Sequence, residues 1–509
     1  MKKITKALLI LLTMVVLVGC AKKTTSITTT TKVVDDNKKI GLSELNYDFE
    51  KDYFFNDYNE RSLADTTRQG IKTFESKEDI VFDAITYEEL VNIFESEGNY
   101  LILFGGSWCH NTRAAVPFIN EYAKEYNITK IYNFDFYMDG TTSQTHIRNT
   151  NQSDPQRVTA GVQYNYLYGE LVSRYLTNLN DYVEYKEGTQ SSLTYTSQTG
   201  EDVNVAKVQV PFLFLYNKDN TINNSQNTSS TQEKFPIVYG FEEMVDLDSN
   251  GVYKTERVNG ESKRNYITDE YKERLKVIFD YIKDNNVVLS EYSDSKYIIE
   301  TYNKKANKEI FKDTDKINIV PITYRQLIYL LEKEGESLIY LGGSWCPNTQ
   351  ATIKETNSQA VSNNVIIYNF DTKLDSGYAK KYWGYSKDLH IRDTSSPFVK
   401  LYADLIEKYF TNIVTLYDVN ASESYKFISY TDENGNQVKV KKLQVPYLLS
   451  YDKDNLDKDG FIAPIIAYYE EMLTLNSEAE DYAYSETNYN SLKGNTQKVI
   501  ESYINEVKR

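Results

Sequence analysis

The chain has 509 residues and a net charge of −16, with 73 acidic against 57 basic side chains, a balance that repels polyanions and argues against nucleic acid or anionic lipid as charge-driven partners. Its length suggests two to four domains of about 100–200 residues, and 40% hydrophobic residues suffice for real cores. Only three cysteines occur, Cys20, Cys109 and Cys346, too few for a disulfide framework.

The first segment, MKKITKALLILLTMVVLVGC, has a basic start and an apolar run from Ala7 to Val18 that is too short to span a bilayer. Leu17, Val18, Gly19 and Cys20 resemble the lipobox of bacterial lipoprotein signal peptides. That resemblance implies a signal peptide over 1–19, lipid attachment at Cys20 and anchorage on the extracytoplasmic face of the cell membrane, since two or more acyl chains hold stably where one is marginal. The alternative is an ordinary secretory signal with an incidental cysteine. Residues 20–45, polar and threonine-rich at their start, read as a tether with too little apolar surface to fold.

Beyond the tether the chain is an internal duplication. YFFNDYNE at Tyr53 is repeated as YIIETYNK at Tyr297, ITYEELVNIFE as ITYRQLIYLLE, and GGSWCHNT as GGSWCPNT. IYNFD recurs at Ile131 and Ile367, HIRNT at His146 is answered by HIRDT at His390, and YGELVSRYLTNL by YADLIEKYFTNI. VQVPFLFLYNKD is answered by LQVPYLLSYDKD, EEM recurs at Glu242 and Glu470, and KVIFDYI by KVIESYI. The predicted units are 46–290 and 291–509.

Within the first unit, DIVFDAI reads as a strand, TYEELVNIFES as an amphipathic helix and YLILFGG as a buried strand. Helical spacing comes after Cys109, and KIYNFDF is another strand. A long insertion holds a helix from about Val162 to Leu179, then a hairpin, turned in the second copy at Asn434 and Gly435. VPFLFLY and FPIVYGF read as adjacent strands, and DEYKERLKVIFDYIKD as the closing helix. Such alternation predicts an α/β class with helices on both faces of a sheet.

This order, with Trp108 and Cys109 at a helix start, Pro117 inside that helix and Val210-Pro211 before a strand, resembles the thioredoxin superfamily. Trp345, Cys346, Val445 and Pro446 repeat the pattern, with Lys354 in place of the helix proline. The resemblance implies two tandem thioredoxin-like domains, each with a long helix-plus-hairpin insertion before the cis-proline strand. It implies that Pro211 and Pro446 are cis and lie against Cys109 and Cys346. Envelope disulfide oxidoreductases of the superfamily also carry a large insertion at this point, a likeness of position only.

A cysteine at a helix start faces free backbone N–H groups and the positive end of the dipole, which favour thiolate. Yet Thr112 and Thr349 stand where thioredoxins place the second cysteine, so an ordinary CxxC cycle is excluded. The buried aspartate that assists release in thioredoxins is also missing, with Leu103 and Tyr340 at its place. Three readings stay open. Cys109 and Cys346 exchange disulfides with envelope proteins or small thiols, an outside thiol resolving each; or both domains are non-catalytic binding modules; or the Cys-x-x-Thr turn serves a thiol peroxidase. A variant joins Cys109 to Cys346 in a disulfide, which needs Cα atoms within about 7 Å.

Other residues have two readings each. His146 with Arg148, and His390 with Arg392, are candidates for a base and an anion holder near the thiol, although fixing the inserted loop is the favoured role. His110 has no counterpart, Pro347 standing in its place. Asn111 and Asn348 are candidate substrate donors or ordinary helix-start residues. Thr112 and Thr349 are candidate partners of the thiolate, or simply packed. DLDSNG at Asp246 resembles the start of a calcium loop but has Arg257 where the closing glutamate belongs, so it reads as an acidic turn. Zinc does not fit so few cysteines and histidines. No metal or cofactor is called for.

Overall fold

The computed structural model describes residues 39–65, 72–141, 145–148, 164–183, 192–225, 233–242, 257–258, 261–262, 269–396, 398–420, 422–432, 434–473 and 486–508. The signal segment, Cys20 and the calcium-like run at Asp246 lie outside them.

The first half runs α1 (Phe49–Ala64), β1 (Phe82–Ala84), α2 (Tyr87–Glu95), β2 (Tyr100–Phe104), α3 (His110–Glu125), β3 (Ile131–Phe134), α4 (Asn165–Tyr175), a hairpin of β4 (Ser192–Thr196) and β5 (Asp202–Ala206), then β6 (Phe212–Tyr216), β7 (Ile237–Glu242) and α5 (Asp269–Asp284). Its sheet has the order β1-β3-β2-β6-β7. β1 and β2 both pair in parallel with β3, and β6 and β7 run antiparallel. The second half repeats this as α6 (Asp294–Ala306), β8 (Ile319–Ile322), α7 (Tyr324–Glu332), β9 (Ser337–Leu341), α8 (Pro347–Asn363), β10 (Ile367–Phe370), α9 (Tyr378–Tyr382), α10 (Val399–Asp404), the hairpin β11 (Phe427–Thr431) and β12 (Gln437–Lys441), then β13 (Tyr447–Tyr451), β14 (Ile465–Glu470) and α11 (Glu486–Val507). The second sheet is ordered β8-β10-β9-β13-β14. Val210-Pro211 and Val445-Pro446 are cis. The chain thus carries two tandem thioredoxin-like folds, each with a helix-plus-hairpin insertion before the cis-proline strand.

Local chemistry accounts for the element ends. The first expected strand, 79–85, shortens to Phe82–Ala84, and Thr86 caps α2, its hydroxyl accepting from Glu89 N while Glu89 reaches back to Thr86 N, a capping box. Thr323 and Gln326 repeat the device at α7. β2 and β9 are buried throughout, as central strands covered on both faces must be. The insertion helix spans Asn165–Tyr175, shorter than expected. Asn434-Gly435 falls within a connection of residues 432–436, where Asp432 N donates to Asn436 O, instead of forming a two-residue turn.

Residues 39–509 form one compact unit, and the reason lies in how the chain crosses between halves. The arm ahead of α1 docks on the second sheet: Leu42 N donates to Glu336 O, Glu336 N to Ile40 O and Ile366 N to Ser43 O, each at 2.8 Å. Only then does the chain enter the first half. The arm ahead of α6 reciprocates, Ser290 N donating to Asn99 O at 2.8 Å and Tyr132 Oη to Tyr292 O at 3.2 Å.

Between the halves lie two charge clusters with exchanged polarity. In one, Asp57 of α1 accepts from Arg325 of α7 at 2.6–2.8 Å and from Arg61 of its own helix. In the other, Glu88 of α2 is ion-paired with Lys305 of α6, both almost fully buried, and accepts from Tyr297 Oη at 2.8 Å. By the repeat, Thr301 stands where Asp57 would be and Glu88 where Arg325 would be, so each cluster keeps one carboxylate although its source has moved. Aromatic contacts continue the seam: Phe49 of α1 lies 4.7 Å from Tyr368 and 6.2 Å from Tyr329 of the second half.

Removing one member of a buried pair strands the other's charge and costs about 3–5 kcal/mol. Lys305→Met is therefore expected to lower the unfolding free energy by that order, read as a lower denaturant midpoint at unchanged slope, and the double change with Glu88→Gln to restore most of the loss. Equal midpoints for the wild type and Lys305→Met would show that the pair holds nothing.

Candidate functional site

Each SWC loop is shaped by two glycines. A Cβ on Gly106 would collide with Asp135 Oδ2, and one on Gly343 with Asp371 Oδ2. A Cβ on Gly105 would meet Thr112 at 2.8 Å, and one on Gly342 would meet Thr349 at 2.9 Å. The glycines thus let a carboxylate and a threonine press onto the loop from opposite sides. Asn133 and Asn369, one strand over, bind it to the sheet by donating to the Gly105 and Gly342 carbonyls at 2.9 and 2.8 Å.

Cys109 and Cys346 are the N-cap residues of α3 and α8, with extended backbone and no side-chain capping bond. Both thiols point at the carbonyl oxygen ahead of the cis proline, Val210 O and Val445 O, at 3.6 Å. The expected juxtaposition of sulfur, helix start and Val-Pro bend is present twice. The access that exchange with a partner needs is not, since Cys109 is 7% and Cys346 5% exposed. Both are free, each against its own half's bend.

The tryptophans are held by carboxylates that the repeat contained but sequence reading passed over. Trp108 Nε1 donates to Asp135 Oδ1 at 2.7 Å, and Trp345 Nε1 to Asp371 Oδ1 at 2.8 Å. Trp108 stacks on Tyr137 at 3.8 Å, and Lys373 Nζ sits 3.9 Å from the Trp345 ring. Burial raises the Asp135 carboxyl to about 7, against the lowering effects of the Trp108 and Tyr137 N–H groups, and pushes Asp371 upward too. A cavity of about 70 Å³ lies on this inner side of the tryptophans, between the halves; Asp135, Asp371 and Arg325 line it and neither cysteine does.

The clusters between the halves reach these loops. Ser107 Oγ donates to Asp57, and Ser344 Oγ donates to Glu88 at 3.2 Å. The residue after each threonine closes the loop from the helix side, Arg113 donating to Ser107 O at 2.7 Å and Gln350 to Ser344 O at 2.6 Å.

The cis-proline segments have their own clamp, built largely by the insertions. Tyr168 of α4 donates to Ala206 O and accepts from Val208 N, at 2.7 and 2.9 Å. Tyr402 does the same with Lys441 O and Leu443 N. Glu242 and Glu470 accept from Gln209 N and Gln444 N. Arg148 and Arg392 donate to Val208 O and Leu443 O, and through Nε to His146 and His390 Nε2 at 3.1 and 3.3 Å. The histidine–arginine pairs therefore fix loops, the favoured reading, while lying beside the tryptophans at 5.9 and 5.7 Å ring separation. Burial, with Arg392 and Lys373 nearby, holds His390 down to about 2, so it is neutral and unsuited to carry a positive charge.

For Asn111, Thr112 and Thr349 the structure takes the plainer of the two readings. Asn111 is buried at 2% exposure and cannot greet a substrate from outside, whereas Asn348 donates to Met472 Sδ at 3.4 Å on the surface. Neither threonine bonds a sulfur: Thr112 and Thr349 are fully buried, and their hydroxyls have no hydrogen-bond partner among the described residues. The first helical turn aims them at the glycines instead.

No protein-family model matches the chain, and no curated protein matches it. Among solved structures, the chain is similar to crystal structures of ERdj5. The form II structure shares 9% identity over 81% of this chain and 28% of that one, at a TM-score of 0.16. The form I structure shares 9% over 80% and 71%, at 0.14, and full-length ERdj5 10% over 67% and 61%, at 0.15. At these scores the superpositions carry no argument, and the thioredoxin-like fold rests on strand order and cis prolines. Among the described residues, no helix is long and apolar enough to cross a membrane, and no cluster of three histidine, cysteine or acidic side chains is placed to hold a metal.

Because Asp135 binds its proton more tightly folded than unfolded, its stabilising contribution is full below about pH 4 and fades as pH rises through about 7. Asp135→Asn keeps an acceptor for Trp108 and has no proton to lose. Its melting temperature is expected to gain on the wild type between pH 5 and 8; a constant difference across that range would place the carboxyl in an ordinary polar setting.

Proposed function

We propose that this chain is a lipid-anchored extracytoplasmic protein, held at the cell membrane through Cys20, whose two thioredoxin-like folds act together as a non-catalytic binding adaptor of the envelope. The carrying observation is the state of the two sulfurs. Each is almost fully covered, faces a carbonyl oxygen at 3.6 Å, and has threonine where a resolving thiol would stand. A covered sulfur is out of reach of an incoming disulfide and so a poor nucleophile. The bends are themselves covered, and a tyrosine, a glutamate and an arginine of the same half hold each in a fixed shape, so a partner would meet the half-exposed residues that flank them, Lys207 and Gln209 or Lys442 and Gln444. Partners of this kind are envelope proteins.

A specific observation favours monothiol exchange as the second reading. Arg148 and Arg392 lie within electrostatic reach of Cys109 and Cys346, and a buried guanidinium supports a thiolate. The thiolate would attack a partner disulfide, expel one thiolate as leaving group, and be released by an outside small thiol.

Iodoacetamide at pH 7 separates the two. The adaptor reading expects both thiols of the folded chain to react at least tenfold more slowly than free cysteine, and crosslinked envelope partners to persist in a Cys109→Ala/Cys346→Ala chain. Mixed disulfides trapped in cells and lost in that variant would overturn it in favour of exchange.

A further inference from the structure

The most prominent apolar surface feature of the described chain is the loop between β13 and β14. Residues Asp452 to Pro464 form a narrow hairpin: Asp452 N donates to Pro464 O at 2.9 Å, Ala463 N to Asn455 O at 2.8 Å, and Asp457 N to Phe461 O at 2.8 Å. Asp457 Oδ1 closes the tip by accepting from Asp459 N and Phe461 N, each at 2.9 Å. On this built tip, Phe461 is 70%, Ile462 67% and Leu456 56% exposed. Leu456 and Ile462 are bridge partners across the hairpin, so they share one face, and Phe461, one residue over, takes the other. The tip is apolar on both faces. A protein surface would cover one of them, whereas a lipid interface surrounds both.

The second observation is where the N-terminal run enters the fold. Although it goes on to build the first half, Lys39 is bound at the base of this hairpin, its Nζ 2.7 Å from Asp452 Oδ2. Ile40, 53% exposed, comes next on the same edge beside Glu336. On the proposed anchorage at Cys20, on which this inference rests, the short run from Cys20 to Lys39 tethers this edge of the molecule to the bilayer, at no more than about 3.5 Å per residue. The charges around the tip, Asp454, Asp457 and Asp459 against Lys453 and Lys458, give no attraction to anionic lipid.

We infer that the Asp452–Pro464 hairpin is a membrane-docking element that places Phe461, Ile462 and Leu456 in the interface of the same bilayer that holds the lipid anchor. Docking is by apolar burial and is indifferent to headgroup charge. It orients the chain with the second half towards the lipid.

The test uses the full, lipid-modified chain on phosphatidylcholine vesicles, with Phe461→Trp as the reporter. Ile222→Trp, at a site 62% exposed on the corresponding loop of the first half, is the control. Flotation reads the anchor, and quenching by brominated phosphatidylcholine, after subtraction of the wild-type signal, reads the docking. The expected result is at least twofold quenching of the reporter indole with the control indole unchanged, equally in vesicles with and without anionic lipid. A chain that floats with the reporter unquenched overturns the docking and leaves the anchor standing. A chain that does not float overturns both. A reporter shielded without lipid, in step with protein concentration, assigns the hairpin to a second copy and also overturns the proposal.

Discussion

The ion pair between Glu88 and Lys305 is the constraint on which the architecture turns. Each is nearly inaccessible to water, each belongs to a different half, and neither charge is tolerable alone. With Asp57 and Arg325 performing the same service in opposite polarity, the halves are bound by groups that lose their compensation on separation. A duplicated sequence would ordinarily yield two independent domains. Here the duplicates have diverged at the seam so that each supplies what the other lacks: a carboxylate lost at position 301 is replaced by Glu88 of the other copy.

Because the clusters end on Ser107 and Ser344, the seam also sets the posture of the two SWC loops. From the inside, Asp135 and Asp371 hold the indoles; from the outside, the insertions hold the Val-Pro bends through Tyr168, Tyr402, Arg148 and Arg392. Sulfur is caught between these supports. A site that needed a mobile, reachable thiol would not surround it with so many fixed neighbours, and this is the physical basis for preferring recognition over turnover. The insertions, which lengthen the chain between cysteine and cis proline, brace the bends.

Much of this was legible in the residues. Periodicity located β2 and α2, and the repeat carried them to β9 and α7, because central strands and amphipathic helices write their burial into local sequence. The paired Val-Pro and Trp-Cys motifs placed sulfur beside the bends. Asp135 and Asp371 were visible only as part of a repeated IYNFD, since nothing local to that strand says that a tryptophan far earlier in the chain will meet it. The charge clusters were equally hidden: Asp57 and Arg325, or Glu88 and Lys305, are joined only through tertiary packing, and their polarity differs between copies, so the repeat obscured them. The threonines had two readings in the sequence, and only the glycines opposite them, met through the fold, decide for packing over a bond to sulfur.

Hydrogen exchange by the intact chain tests the central claim, that the two halves stand or fall together. If arms and buried pairs bind them into one cooperative unit, the slowest amides of β2 and of β9 exchange with the same opening free energy and respond in parallel to denaturant. Opening of one sheet at a distinctly lower free energy, with the other still protected, would contradict it.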